Sequence, residues 1–98
     1  MDEFKQDAEN YINLMKEMEN IKDNQYSLAF NIHIRAMVQY ERWSTILFEL
    51  RKCEAETKIK QVALKNRIED VMKSLNNIHT SARMLWARGE ERMKKESY

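Results

Sequence analysis

The stretch from Tyr26 to Leu50, YSLAFNIHIRAMVQYERWSTILFEL, constrains the fold more than any other part of the chain. It contains five of the nine aromatic residues, and only four of its positions are charged. Apolar side chains would therefore point in nearly every direction around a helix. A helix that is apolar most of the way round has to be buried. Other segments of the chain, or a second copy of it, must surround this one.

The composition predicts a single all-α domain over residues 1–98. Proline is absent and Gly89 is the one glycine, so the chain lacks the turn residues that a sheet protein needs. Good helix formers such as Leu, Met, Glu, Lys and Arg dominate instead. A chain of 98 residues makes one domain at most and is marginally stable alone.

The first helix is marked by apolar residues that recur on one face. They are spaced by four, three, four and three positions: Phe4, Ala8, Tyr11, Met15 and Met18. This pattern predicts a helix over about 3–22. The polar residues 22–25 predict a turn, in which Asp23 or Asn24 would cap the next helix. Because the connection is short, we expect the first helix to fold back antiparallel on the next segment of the chain.

One heptad frame runs from Tyr26 to the end of the chain without a slip. The candidate core and oligomer contacts are residues on or beside its apolar seam: Tyr26, Phe30, Tyr40, Trp43, Leu47, Leu50, Leu64, Ile68, Val71 and Leu75. The strict seven-residue period favours left-handed, coiled-coil-like packing. We therefore expect an antiparallel helical hairpin or bundle with a long coiled-coil-like helix, completed by oligomerisation as a homodimer.

The heptad seam turns polar at three consecutive positions: Glu54, Thr57 and Gln61. One interpretation is a turn near residues 52–58, which gives two helices. The other is a continuous helix whose polar layer sets register and the number of partner chains. Because Lys52–Lys60 contains no Gly, Pro, Asn or Asp, we favour one helix from Gln25 past residue 70. A helix of about 70 residues would be roughly 105 Å long and would need a partner chain.

Gly89 predicts where the helical region ends. Glycine is favoured just past a helix carboxy terminus because it adopts the left-handed conformation freely. The region 25–88 is thus expected to be helical, as one long helix or two, and the tail 89–98 is expected to fray.

The sequence contains no constellation of residues typical of an enzyme. His33 and His79 lie far apart, and neither has a further ligand at metal-binding spacing. We interpret His33 as a hydrogen-bonded core histidine, with pH sensitivity as the alternative. Cys53 is interpreted as a spectator thiol, and the chain has no glycine-rich loop for phosphates. We therefore expect no catalytic, cofactor or metal site.

The expected location is the cytoplasm, without a membrane partner. A single cysteine cannot form an internal disulfide, which fits a reducing compartment. No apolar run approaches the roughly 20 residues that cross a bilayer. The acidic start MDEFKQDAEN is unlike a secretory signal.

Two clusters are candidate contacts with a partner or with phosphate. The first comprises Arg51, Lys52, Lys58, Lys60, Lys65 and Arg67, and the second comprises Arg83, Trp86 and Arg88. Clustered cations can neutralise phosphates, and aromatic–basic interleaving suits single-stranded nucleic acid. The alternative, which we favour for the first cluster, is a solvated face. It would be balanced by residues 1–25, which carry seven acidic and three basic side chains.

Together these patterns predict a small non-enzymatic α-helical protein-interaction module. It would act as an adaptor, chaperone or inhibitor that binds and modulates a larger protein partner. The alternative is a nucleic-acid-binding accessory protein that uses basic helix faces at 51–67 and 83–95. A third hypothesis makes the polar seam a determinant of the number of chains in the assembly.

Overall fold

The computed structural model describes the backbone of residues 4–96 and the side chains of residues 4–92. It contains three helices, α1 (Lys5–Glu19), α2 (Tyr26–Thr57) and α3 (Val62–Glu96). The helices α2 and α3 form a long antiparallel hairpin, and α1 packs along its middle. The all-α prediction is confirmed. The molecule is elongated, with extents of 63 × 19 × 16 Å. Its radius of gyration is 16.9 Å, against about 13 Å for a compact domain of this length.

The core is a narrow apolar stripe to which all three helices contribute. Its buried members are Leu14 from α1, Ala29, Ile32, Ala36, Trp43, Ile46 and Leu47 from α2, and Ile68, Leu75, Ile78, Ala82 and Leu85 from α3. Of the other predicted core residues, Tyr26, Leu50, Leu64 and Val71 are half-buried, whereas Phe30 and Tyr40 are 42% and 39% exposed. The apolar seam is therefore filled within one chain.

Helix α1 lies antiparallel to α2 and is held by polar contacts at its margins. Arg35 donates two hydrogen bonds to the Glu17 carboxylate, at 2.7 and 2.8 Å. Farther along, Arg42 lies 3.3 Å from Asp7. Between these contacts Leu14 is fully buried. The acidic first helix therefore pairs with two arginines of α2, and not with the basic cluster at 51–67 that it was expected to balance.

The predicted boundaries of α1 are partly corrected. The helix ends at Glu19, earlier than the predicted end at residue 22. The predicted start at residue 3 lies outside the described residues. Asn20 closes the helix because its backbone N–H and its side-chain amide both donate to the Lys16 carbonyl, at 3.1 and 2.9 Å.

The connection to α2 does not use the predicted cap. The residue that precedes the helix is Gln25, and neither Asp23 nor Asn24 caps it. Instead the Gln25 backbone donates to the Lys22 carbonyl at 3.0 Å. In return, the Gln25 side-chain oxygen accepts from the Lys22 backbone N–H at 2.8 Å. These two hydrogen bonds between Lys22 and Gln25 hold the turn. The glutamine side chain that takes part is longer than the side chains of the predicted caps, Asp23 and Asn24.

The continuous helix favoured from the sequence is wrong, because the chain reverses direction between α2 and α3. Lys58 adopts the left-handed conformation with φ 62° and ψ 13°. Thr57 supports the reversal, since its hydroxyl donates to the Cys53 carbonyl at 2.8 Å and accepts from the Ile59 N–H at 3.3 Å. A lysine thus occupies the position that glycine usually takes after a helix.

The polar positions of the seam supply the hydrogen bonds of this turn. A carboxylate oxygen of Glu54 accepts from the Gln61 backbone N–H at 3.1 Å. Its other oxygen lies 3.3 Å from the Lys65 ammonium group, and the Glu54 side chain is only 10% exposed. A negative charge at the amino end of α3 also suits the helix dipole. The polar residues that suggested a layer between chains therefore hold the two arms of one hairpin.

Gly89 does not end the helical region, and this prediction is also wrong. Helix α3 continues through it to Glu96. Gly89 is buried where the Tyr26 ring crosses α3. A Cβ at this position would lie 2.8 Å from Tyr26 Cβ and closer still to two ring carbons. The glycine is therefore required by the close approach of an aromatic ring, at the open end of the hairpin.

We expect Lys58→Gly to raise the free energy of unfolding by about 1 kcal/mol, because glycine adopts the left-handed conformation without the steric penalty. Urea unfolding measures the change. The control is Lys60→Gly, which removes the same charge from a neighbouring loop residue whose φ is not positive. The control should leave stability unchanged or lower it by up to about 1 kcal/mol. Equal stabilisation by both changes would contradict a strained backbone at Lys58.

Gly89→Ala should lower the free energy of unfolding by about 1–3 kcal/mol, because the added methyl group overpacks the contact with Tyr26. The same change in a Tyr26→Ala background should instead raise stability by about 1 kcal/mol, through the helix propensity of alanine. Thermal or urea unfolding of the four variants of this cycle measures both effects. A destabilisation of the same size in both backgrounds would show that the ring is not the cause.

Candidate interaction surface

One side of α2 carries large apolar side chains that the other two helices leave substantially exposed. We call this side the outer face and define it by five residues. Their exposed fractions are Phe30 42%, Ile34 41%, Met37 44%, Val38 63% and Phe48 66%. Their positions follow the helical repeat, so they form a stripe along the helix. The stripe is about 27 Å long at 1.5 Å per residue.

The outer face stays open because the other two helices pack on different sides of α2. Helix α1 contacts the side that carries Arg35 and Arg42. Helix α3 contacts the side that carries Tyr26, His33 and Glu54. Since those two arginines point to α1, Glu41 is the one charged residue left on the outer face between its two phenylalanines.

The exposed sides of α1 and α3 are different in character. In α1, Ile12 at 42% is the one exposed large hydrophobic residue among the described positions, and its neighbours are Lys, Gln, Glu and Asn. In α3, Val62 and Met84 are exposed at opposite ends of a side that is otherwise mostly polar and charged. A contiguous apolar stripe is therefore a property of α2 alone within residues 4–92.

A groove between α2 and α3 borders the outer face. It encloses about 170 Å³ and is lined on its rim by Met37, Tyr40, Glu41 and Asn76. Farther along the same border the rings of Phe30 and Trp86 lie 5.0 Å apart at an angle of 49°. This separation is typical of aromatic pairs. The groove and the aromatic pair extend the outer face toward α3.

Two histidines stack in the same border region. The His33 and His79 rings are 4.3 Å apart and 18° from parallel. The carbonyl of His79 can only accept, so His33 Nδ1 carries the hydrogen of their 3.3 Å contact. Nδ1 of His79 is buried without a hydrogen-bond partner. Burial lowers the pKa of His79, and the charges of His33 and Arg83 lower it further. His33, predicted to be a hydrogen-bonded core histidine, is thus half of an imidazole pair.

The first basic cluster is divided at the tip of the hairpin. Arg51 and Lys65 are paired with acidic residues across the hairpin, at 3.4 and 3.3 Å. Lys52, Lys58 and Lys60 are exposed around the turn. The remaining member, Arg67, lies on another side, where it lines a groove with Phe4 and with Ala8 of α1. The structure therefore brings three of the six cations together as an open group.

The second cluster lies toward the other end of α3. Trp86 is half-buried against Phe30, and Arg83 is exposed near His79. Arg88 lines a groove with Asp23 and Glu91. The side chains of residues 93–95 lie outside the described residues. About 35 Å of helix separates residue 60 from residue 83, so the two clusters do not form one continuous basic surface.

Within the described residues, no group of three or more His, Cys, Asp or Glu side chains could hold a metal ion. The search for membrane spans over the same residues found no helix with the required length and apolar character. Cys53 is a free thiol on the exposed side of α2 near the turn.

The histidine pair predicts that acidification destabilises the fold. Because the folded state lowers the pKa of His79, unfolding takes up a proton once the pH falls below about 6.5, the ordinary value. Stability should be greatest above that pH and decline toward pH 5, by up to about 1.4 kcal/mol per pH unit. Urea unfolding from pH 7.5 to 5 measures the slope, and His79→Gln should flatten it. If the slope of stability against pH is unchanged in His79→Gln, groups other than His79 cause it.

The chain matches no protein-family model, and neither the curated proteins nor the solved structures contain a significant match to it. Its function is therefore inferred from the geometry and chemistry of the chain itself.

Proposed function

We propose that this chain is a protein-interaction module that docks a protein partner on the outer face of α2. Its work is binding, of the kind that adaptors, chaperones and inhibitors perform. The observation that carries the proposal is the stripe of five large apolar side chains, each at least 41% exposed, which among residues 4–92 is found on α2 alone. Contiguous exposed apolar patches of this kind mark interaction sites in proteins.

The chemistry of the outer face suits a protein better than a nucleic acid. Phenylalanine and methionine are enriched where proteins meet, and charged residues are depleted at the centre of such interfaces. The outer face contains Phe30, Met37 and Phe48, and its one charged residue is Glu41. It thus has both the enriched residue types and the low charge of a protein interface. A phosphate backbone would require several cations on the same face.

Nucleic-acid binding remains the second candidate and draws on fewer observations. Its support is the group of Lys52, Lys58 and Lys60, which are exposed around one turn. Acidic residues neutralise two further cations of the tip in ion pairs. The cytoplasmic location expected from the sequence also stays a prediction.

A photo-crosslinking amino acid at Phe48 tests the proposal. We expect irradiation in cells of the native host to join the variant to a protein, because Phe48 is the most exposed apolar side chain of the outer face, at 66%. The matched control places the same amino acid at Ile12, which is 42% exposed on α1 and outside the outer face. The control should give at least tenfold less product, which corresponds to about 1.4 kcal/mol of discrimination.

The competing candidate predicts a different result. If equal products form at both positions, the outer face has no special role in binding. If crosslinks at Phe48 are absent while the chain binds oligonucleotides with a steep salt dependence, the nucleic-acid candidate takes precedence.

A further inference from the structure

We propose that the partner of the outer face is a second copy of this chain, docked antiparallel about a twofold axis near the middle of the stripe. The inference rests on the proposed function, since it names the occupant of the same face. It differs from the sequence-based expectation, in which the heptad seam joined two chains. That seam is filled within one chain, so self-association needs another surface.

The exposed area of the outer face is the first support for a second copy. At the 150–250 Å² that a free aromatic side chain presents, the five exposed fractions would amount to about 400–650 Å², which is an upper figure because three of the residues are aliphatic. A stable interface buries about 800 Å² on each partner. The small polar residues along the same side, Asn31, Ser44 and Thr45, are exposed as well. With them the stripe approaches the area that a dimer of standard size requires.

The charge of the outer face is the second support. In a twofold interface the same patch lies on both sides, so every charged residue near the axis meets its own like charge. A strongly charged patch would repel its copy. The outer face carries Glu41 alone between its two phenylalanines, so the interface brings together one pair of like charges, about 6 Å apart along the helices. An almost uncharged apolar stripe is complementary to itself.

The charge of the hairpin tip selects the antiparallel arrangement. Residues 51–67 carry six basic and two acidic side chains, a net charge of +4. A parallel dimer would place two such tips side by side, whereas an antiparallel dimer places them at opposite ends of the assembly. The antiparallel arrangement also opposes the dipoles of the two α2 helices favourably.

The distribution of aromatic residues fits this symmetry. Phe30 and Phe48 stand toward the two ends of the stripe, and the midpoint between them falls at residue 39. Antiparallel pairing about that point brings Phe30 of one chain beside the partner's Phe48, and the twofold axis repeats the contact. Ile34 then meets small side chains of the partner near residue 44. The Val38 side chains, which are 63% exposed, then meet near the axis.

The first test is the solution mass, by sedimentation equilibrium from about 1 to about 200 μM protein, a range that brackets micromolar dissociation constants. We expect twice the 11.9 kDa of one chain. Val38→Glu combined with Phe48→Glu should weaken dimerisation at least 100-fold, because each chain would bring two negative charges into an apolar interface. Ile12→Glu on α1 is the matched control and should dimerise like the native chain. Circular dichroism establishes that every variant keeps its helices.

The second test uses the single native cysteine as a label site. Cys53 is exposed and lies 14 positions from residue 39, so two spin labels in the antiparallel dimer should be about 40–45 Å apart. A parallel dimer would hold them within about 20 Å, the width of two packed helices. Pulsed electron spin resonance measures the distance without any substitution. A short distance would overturn the antiparallel arrangement.

The outcomes separate this inference from the proposed function. A monomer at every concentration, or a dimer that tolerates both glutamates, overturns the inference. If a monomeric chain still crosslinks through position 48 to a different protein, the proposed function stands without it. A monomer that forms no such crosslink would remove both.

Discussion

The rest of the structure depends on the reversal of the chain at Lys58. It converts a heptad pattern that could have joined two chains into an intramolecular hairpin. The half-buried carboxylate of Glu54 joins both arms, through the Gln61 N–H and the Lys65 ammonium group. Once α2 and α3 are antiparallel, the groove along one side of them receives α1, and the opposite side of α2 is left without a cover.

The sequence predicted the parts of the fold that follow from periodicity. The all-α class and the apolar face of α1 appear in the structure where the repeat placed them. A turn near residues 52–58 was the less favoured of two interpretations, because its left-handed position is filled by Lys58 and its supporting polar residues resemble a buried polar layer. Gly89 was misread for the opposite reason. A glycine in a helical sequence can mark either the end of the helix or a close contact with a neighbouring group. At Gly89 only the position of the Tyr26 ring distinguishes the two.

The candidate surface shows why function was harder to predict than fold. Apolar residues around most of α2 indicated that the helix would be buried on all sides. Two neighbouring helices can cover only part of a circumference, and the sequence could not show which side would remain open. The histidine pair could have been predicted from a turn near residue 60, because such a turn sets His33 opposite α3 residues near 80. That inference required the turn to be placed first.

The limited reach of α1 has a consequence for how the molecule opens. At 15 residues, α1 covers about 22 Å of a molecule 63 Å long. Isolated helices of that length are marginal in water, so α1 gains its helical order largely from docking. The hairpin keeps its own turn and its own seam when α1 leaves. Detachment of α1 is therefore a small, separate step. It would expose the apolar residues around Leu14 beside the outer face, since Ile34 and Val38 line a groove with Glu17 of α1. Hydrogen exchange in such a molecule would proceed in two stages, first in α1 and later in the hairpin.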